Sequence, residues 1–164
     1  MGQYWYPVNV DKHEFINPHK LGTGLKLREQ LAAHPGTGAA LLILTAAMPE
    51  VRGGGDFDLT ANWHGPERTF PAHNASPGPM PESYPEIARR IIGRWAGDRI
   101  ALIGDYAEDS DLPVGFQASL IYTKCSEGDW KDVTEDVCAV IEYELRGNYS
   151  GEGWREWKNS TETN

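Results

Sequence analysis

Hydrophobic positions near the N-terminus fall two apart. Tyr4, Tyr6, Val8 and Val10 share one face, with Gln3, Trp5, Pro7 and Asn9 on the other. This is the alternation of a half-buried strand. Asp11-Lys12-His13 then reads as a turn and Glu14-Phe15-Ile16 as a short return strand, which makes a hairpin. Pro7 has no amide to give a ladder, so it predicts that the first strand lies at an edge or carries a bulge. After the hairpin, Thr23 is a candidate N-cap, Leu27 and Leu31 lie four apart with Ala32 beside them, and Pro35-Gly36 ends a helix. Residues 39–46 (AALLILTA) form a continuous apolar run of strand length and read as a central strand buried on both faces.

The period disappears over residues 49–82, where Gly and Pro are dense. A long irregular segment of this kind inside a domain is a functional or a disordered loop. The clearest periodicity follows it. Tyr84, Ile87, Ala88, Ile91, Ile92 and Trp95 fit one helix face, with Arg89, Arg90 and Arg94 largely opposite. Pro85 suits the first helical position and Gly97 the C-terminal cap. Residues 100–103 (IALI) then read as a strand entered from the helix, as in α/β units, and buried in the core. Residues 116–123 (FQASLIYT) read as another strand. Val133, Val137, Val140, Ile141 and Leu145 fit a third helix, capped by Thr134 or Asp132 and followed by Gly147. The β-branched residues of this segment leave a strand as its alternative.

These elements predict an α+β (or α/β) single domain over residues 1–158. It would hold a mixed sheet of about four to five strands, about three helices, the 49–82 loop and a disordered tail at 159–164. The length of 164 residues suits one core. Six Trp and seven Tyr favour an extensive core or a contact surface. No apolar run approaches the roughly 18 residues of a membrane helix, and the first residues lack the basic and apolar regions of a secretory signal. A cytoplasmic setting is therefore expected, with Cys125 and Cys138 as reduced thiols. In that setting the three glycosylation sequons carry no weight.

Charge changes the picture more. The net charge is −9, and residues 98–164 hold all of it, with fifteen Asp/Glu against six Lys/Arg. Residues 1–97 balance at nine of each. Phosphate backbones repel an acidic surface, so nucleic acid is not expected as a partner. A protein partner, basic in character, is allowed, and mimicry of nucleic acid is the extreme form of that idea.

Two stretches, GQYWYPVNVDKHEFINPHKLGTGLKL and RWAGDRIALIGDYA, carry a resemblance. The matching positions are Gly2, Gln3, Tyr4, Val8, Asn9, Asp11, Lys12, His19, Lys20, Leu21, Gly22, Trp95, Gly97, Asp98, Arg99, Ile100, Gly104, Asp105 and Tyr106. With these the chain resembles a group of small bacterial and phage proteins that has no assigned activity. The resemblance implies a recurring fold and a phage or bacterial accessory protein, and it transfers no catalytic residue.

Candidate chemistry is sparse. Gly22-Thr23-Gly24 precedes a helix, but Leu27 stands where a dinucleotide fingerprint wants Gly, and no Walker lysine follows. Gly53-Gly54-Gly55 reads as flexibility. His19, His64 and His73, with Asp56 and Asp58, are the candidate metal ligands, yet neither HExxH nor CxxC occurs. The acidic run from Asp105 lacks the glycine of a calcium loop. Cys138 falls on an apolar helix face and reads as an inert thiol. Asp105 follows a strand, where open sheets place ligands, and is the one candidate catalytic carboxylate. A structural role is its competitor, Asp98 and Asp105 capping turns or pairing with Arg94 and Arg99.

The functional expectation is a non-enzymatic protein-binding module acting on a host protein, without cofactor. Its surface would include Trp63, Phe70, Glu108, Asp109, Asp111, Trp130, Trp154 and Trp157. The alternatives are a metal-assisted hydrolase using Asp105 with loop His and Asp residues, and an acidic nucleic-acid mimic.

Overall fold

The computed structural model describes residues 3–22, 24–33, 35–47 and 83–146. The elements run β1 (Trp5–Asn9), β2 (Glu14–Phe15), α1 (Leu27–Ala32), α2 (Thr37–Thr45), α3 (Tyr84–Ile91), β3 (Ile100–Gly104), α4 (Ala118–Glu127), β4 (Lys131–Asp132) and α5 (Thr134–Arg146). A single 3₁₀ turn, Asp109–Asp111, precedes α4. The sheet order is β3-β1-β2-β4, antiparallel except for the parallel β2–β4 pair. The fold is α+β with a mixed four-stranded sheet. The 49–82 segment, Gly147 and the 159–164 tail lie outside the described residues.

The expected hairpin is present, and a buried side chain builds its turn. Asn9 Oδ1 accepts the N–H groups of Asp11 and Lys12 at 3.0 and 2.9 Å, and Asn9 Nδ2 donates to Asp98 at 2.7 Å. Contrary to the reading of Pro7, β1 is central, between β3 and β2. Pro7 lies opposite Ile16, just past the end of β2, and its carbonyl accepts the Ile16 N–H at 3.0 Å. Within a strand a residue's N–H and C=O point to the same side, so the amide that Pro7 lacks faces Ile16, beyond the last paired residue of β2, and not β3. A central proline here costs at most one bond, at the end of a short neighbour, and none to β3.

One sheet face carries Tyr6, Val8, Val10, Phe15, Ala101 and Ile103, and α4 covers it with Ala118, Ile121 and Cys125. The Tyr6 ring meets Phe15 edge-on at 5.4 Å and Tyr122 at 5.1 Å. β3 is not core throughout: on the other face Ile100 and Leu102 are exposed, and in the whole strand only Ile103, on the α4 side, and Gly104 are buried. An edge strand needs just one buried face, so its short apolar run overstates its burial.

Two predicted strands are helices. Residues 39–45 belong to α2, with Ala46 capping it, and residues 116–123 lie mostly in α4. A continuous apolar run has no period, so it cannot separate a buried strand from a buried helix. In α2, Ala40, Ile43 and Leu44 are buried while Leu42 is exposed, a helical and not an alternating pattern. Its Ala and Leu content favours helix. Five α-helices rather than about three therefore stand among the described residues. The α1 apolar pair also fails as a core face. The helix begins at Leu27, Leu31 is exposed, and the buried residue is Gln30, whose Nε2 donates to the Trp5 and Leu25 carbonyls. Thr23 lies outside the described residues.

A second core joins α2, α3 and α5 around Ile16, Leu21 and Trp95. Pro85 is the second helical residue of α3, not the first, and the helix stops at Ile91, well before Gly97. The chain then turns through Gly93 at φ +74°. Gly93 N–H donates to the Ile43 carbonyl at 2.9 Å and Trp95 N–H to Leu44 at 2.7 Å. These donors satisfy two of the carbonyls that the end of α2 would otherwise leave open. At the other end of the sequence Asp132 caps α5, accepting the Thr134 N–H at 2.9 Å and its hydroxyl. Thr134 Oγ1 in turn accepts the Asn17 N–H at 2.8 Å.

The sheet and the helical layer meet at Glu14, which is 3% exposed. It accepts a forked pair from Arg94 and a 2.9 Å bond from Trp95 Nε1. Burial pushes its carboxyl up, but the hydrogen bonds from Arg94 and Trp95, with the charges of Arg94 and Lys131, hold it below the ordinary value. A depressed carboxyl stabilises the fold above its unfolded pKa, and that stabilisation is lost as pH falls through the folded value. Wild-type stability, read by denaturant titration, is therefore expected to fall as pH drops below about 4.5. Glu14→Gln should cost about 2–3 kcal/mol at pH 7 and show a shallower acid limb. Equal stabilities at pH 7 would refute this role. Separately, a Cβ at Gly93 would lie 2.3 Å from the Ala46 carbonyl oxygen. Gly93→Ala is expected to destabilise by at least about 2 kcal/mol, seen as a lowered melting temperature.

Candidate functional site

An open concavity among the described residues lies at the hairpin end of the sheet, beside α4. Its volume is about 330 Å³, within the range of ligand sites. Val10, His13 and Arg99 line one side, Phe116, Gln117, Leu120, Ile121 and Lys124 the other, with Trp130 between.

Local structure explains each placement. His13 closes the hairpin turn in the left-handed region at φ +54°. Gly128, at φ +83°, ends α4, and the N–H groups of Asp129 and Trp130 both return to the Lys124 carbonyl, at 2.9 and 3.2 Å. That cap turns Trp130 back beside Lys124. The next residue, Lys131, donates its N–H to the His13 carbonyl at 3.0 Å and starts β4. Trp130 is thereby stacked on His13, ring centroids 4.8 Å apart at 25°. Gln117, Leu120, Ile121 and Lys124 follow one helical face.

Arg99 is held from two directions. Asp11 accepts its backbone N–H at 2.7 Å, its Nε at 2.8 Å and its Nη2. The guanidinium carbon lies 4.8 Å from the centre of the Phe116 ring. The side-chain hydrogen bond from Arg99 is the main reason Asp11's carboxyl sits below its ordinary value. Asp11 uses two of the five guanidinium N–H groups, which leaves three for a ligand. Lys124 forms no ion pair among the described residues. No Asp or Glu is among the lining residues. The groove therefore offers donors, one unneutralised cation and aromatic edges. Such a lining is chemically suited to an anionic group.

Of the candidate site residues read from sequence, Trp130 alone lines this groove. Glu108, Asp109 and Asp111 lie at the 3₁₀ turn, where Glu108 N–H donates to Asp111 at 2.9 Å and Ser119 Oγ to Asp109 at 3.4 Å. His19 is exposed in a turn, its N–H on Asn17 Oδ1 at 3.0 Å. Trp63, His64, Phe70, His73, Trp154 and Trp157, with Asp56 and Asp58, lie outside the described residues. Among the described residues no three His, Cys, Asp or Glu side chains converge as metal ligands would. Asp105 extends the β1–β3 ladder. Its N–H donates to the Tyr4 carbonyl at 3.0 Å, and its carboxylate accepts the Tyr4 N–H at 2.9 Å, where a strand would use a carbonyl. Asp98 pairs with Lys12 and Asn9, and Arg94 with Glu14. His13, Arg99, Phe116 and Lys124 were not grouped by sequence. Reading residues 117–124 as a helix would have aligned Gln117, Leu120, Ile121 and Lys124.

Burial pushes both thiols, Cys125 and Cys138, up to about 12, aided by the Asp132 charge. Neither offers appreciable thiolate near neutrality. A thiol-exchange reagent at pH 8 is expected to react at least about a hundredfold more slowly with the native chain than with the denatured one. A fast native phase would overturn this.

Compared with known proteins, the chain matches no family model, and no curated protein or solved structure matches it significantly. Among the described residues no helix is long and apolar enough to cross a membrane.

Proposed function

We propose that the chain is a non-enzymatic protein-binding module, a phage or bacterial accessory factor acting on a host protein, and that its contact site includes the groove. One observation carries the reading. In a chain of net charge −9, the groove is lined by Arg99, Lys124, His13 and four large hydrophobic side chains, Phe116, Leu120, Ile121 and Trp130, without a carboxylate. Such a mixture of fixed aromatic edges and donors suits a polypeptide surface.

The placement of the acidic residues agrees with this. Lys12–Asp98, Lys20–Asp132, Lys20–Glu135 and Arg90–Asp136 pair carboxylates of the acidic half with cations of the neutral half. These internal pairs spread the excess charge over the chain and leave its total unchanged. At the groove itself the favoured occupant is acidic, not basic. The resemblance to small phage and bacterial proteins supports the accessory role.

The test is affinity capture from host lysate with the wild type, Lys124→Glu and Phe116→Ala, each checked by circular dichroism. A retained protein that Lys124→Glu loses is the expected result. Retention of the same proteins by all three, or of none even at low salt, would refute the proposal.

A further inference from the structure

We infer that the groove recognises a short acidic peptide segment carrying one apolar anchor. This deepens the protein-binding reading above and rests on it. A peptide carboxylate would meet Lys124 and the three guanidinium N–H groups that Asp11 leaves open on Arg99. The anchor would lie against Leu120, 45% exposed, and the edge of Phe116.

Two features favour this occupant over a nucleotide. The ring faces are largely taken: Arg99 covers Phe116, and Trp130, only 7% exposed, has His13 stacked on it. A nucleobase needs a free face for stacking. Charge points the same way. Asp11 offsets Arg99, so Lys124 supplies the one unneutralised lysine or arginine charge in the lining. That suits carboxylates spread along a chain better than a concentrated phosphate dianion.

The experiment is fluorescence anisotropy with a labelled pentapeptide of four glutamates around a central phenylalanine. Its glutamine and lysine counterparts serve as controls, and adenosine monophosphate and inorganic phosphate as competitors. The acidic peptide is expected to bind at least about tenfold more tightly than either counterpart, and more weakly at higher salt. Lys124→Gln and Phe116→Ala should each weaken it about tenfold with unchanged circular dichroism. If Phe116→Ala loses its fold, Lys124→Gln decides, because it removes the charge and keeps an unbranched polar side chain of good helix propensity. Equal binding of the glutamine peptide, or no effect of Lys124→Gln, would overturn the inference. So would displacement by either phosphate compound as complete as by unlabelled peptide. Failure here, with Lys124→Glu still losing its captured protein, rejects the peptide chemistry and leaves the binding-module reading intact.

Discussion

The fold depends on one buried carboxylate. Glu14 projects from β2 away from α4, and Arg94 and Trp95 reach it from the turn after α3. Burying an ion pair costs desolvation that only good geometry offsets. Here a forked guanidinium and an indole N–H supply it. The same short turn also caps α2 through Gly93 and Trp95. Sheet, α2 and α3 are thus fixed by one run of three residues. A carboxylate one place along β2 would face α4 instead, so this contact also sets the hairpin's register against the helical layer.

Much of this was legible where the period was strong. The β1 alternation, the hairpin and α3 follow from spacing that only one element type satisfies, and α5 takes the helix its spacing fits and not the strand its β-branched residues allow. The errors fell where spacing was silent or the environment decided. Residues 39–46 are apolar throughout, so nothing in their order distinguishes α2 from a strand. Pro7 does not mark an edge because its amide position faces the last residues of a short β2 and leaves the β3 ladder whole, a property of the neighbours. Residues 116–123 contain a helical face, but its last member, Lys124, lies just beyond the apolar run.

The groove was illegible for a different reason. Its members run from Val10 to Trp130, and three separate devices bring them together: a hairpin turn, a helix cap and a two-residue parallel strand. None of these carries a motif. Net charge was also a poor guide to local chemistry. It suggested a basic partner, whereas the groove lining is cationic and aromatic. Asp105, attractive by its position after a strand, takes the place of a carbonyl at the end of a ladder.

The central position of β1 has a further consequence, in time instead of space. Its main partner is β3, which pairs Trp5 with Gly104 and Asn9 with Ile100, and β2 waits for Lys131. Such sequence-distant pairing raises contact order and slows folding. As the chain leaves the ribosome, the hairpin must remain open-edged until most of the sequence has been made. During that interval its free amides and carbonyls are available to any other strand. The brevity of β2 limits what such a stray strand could hold.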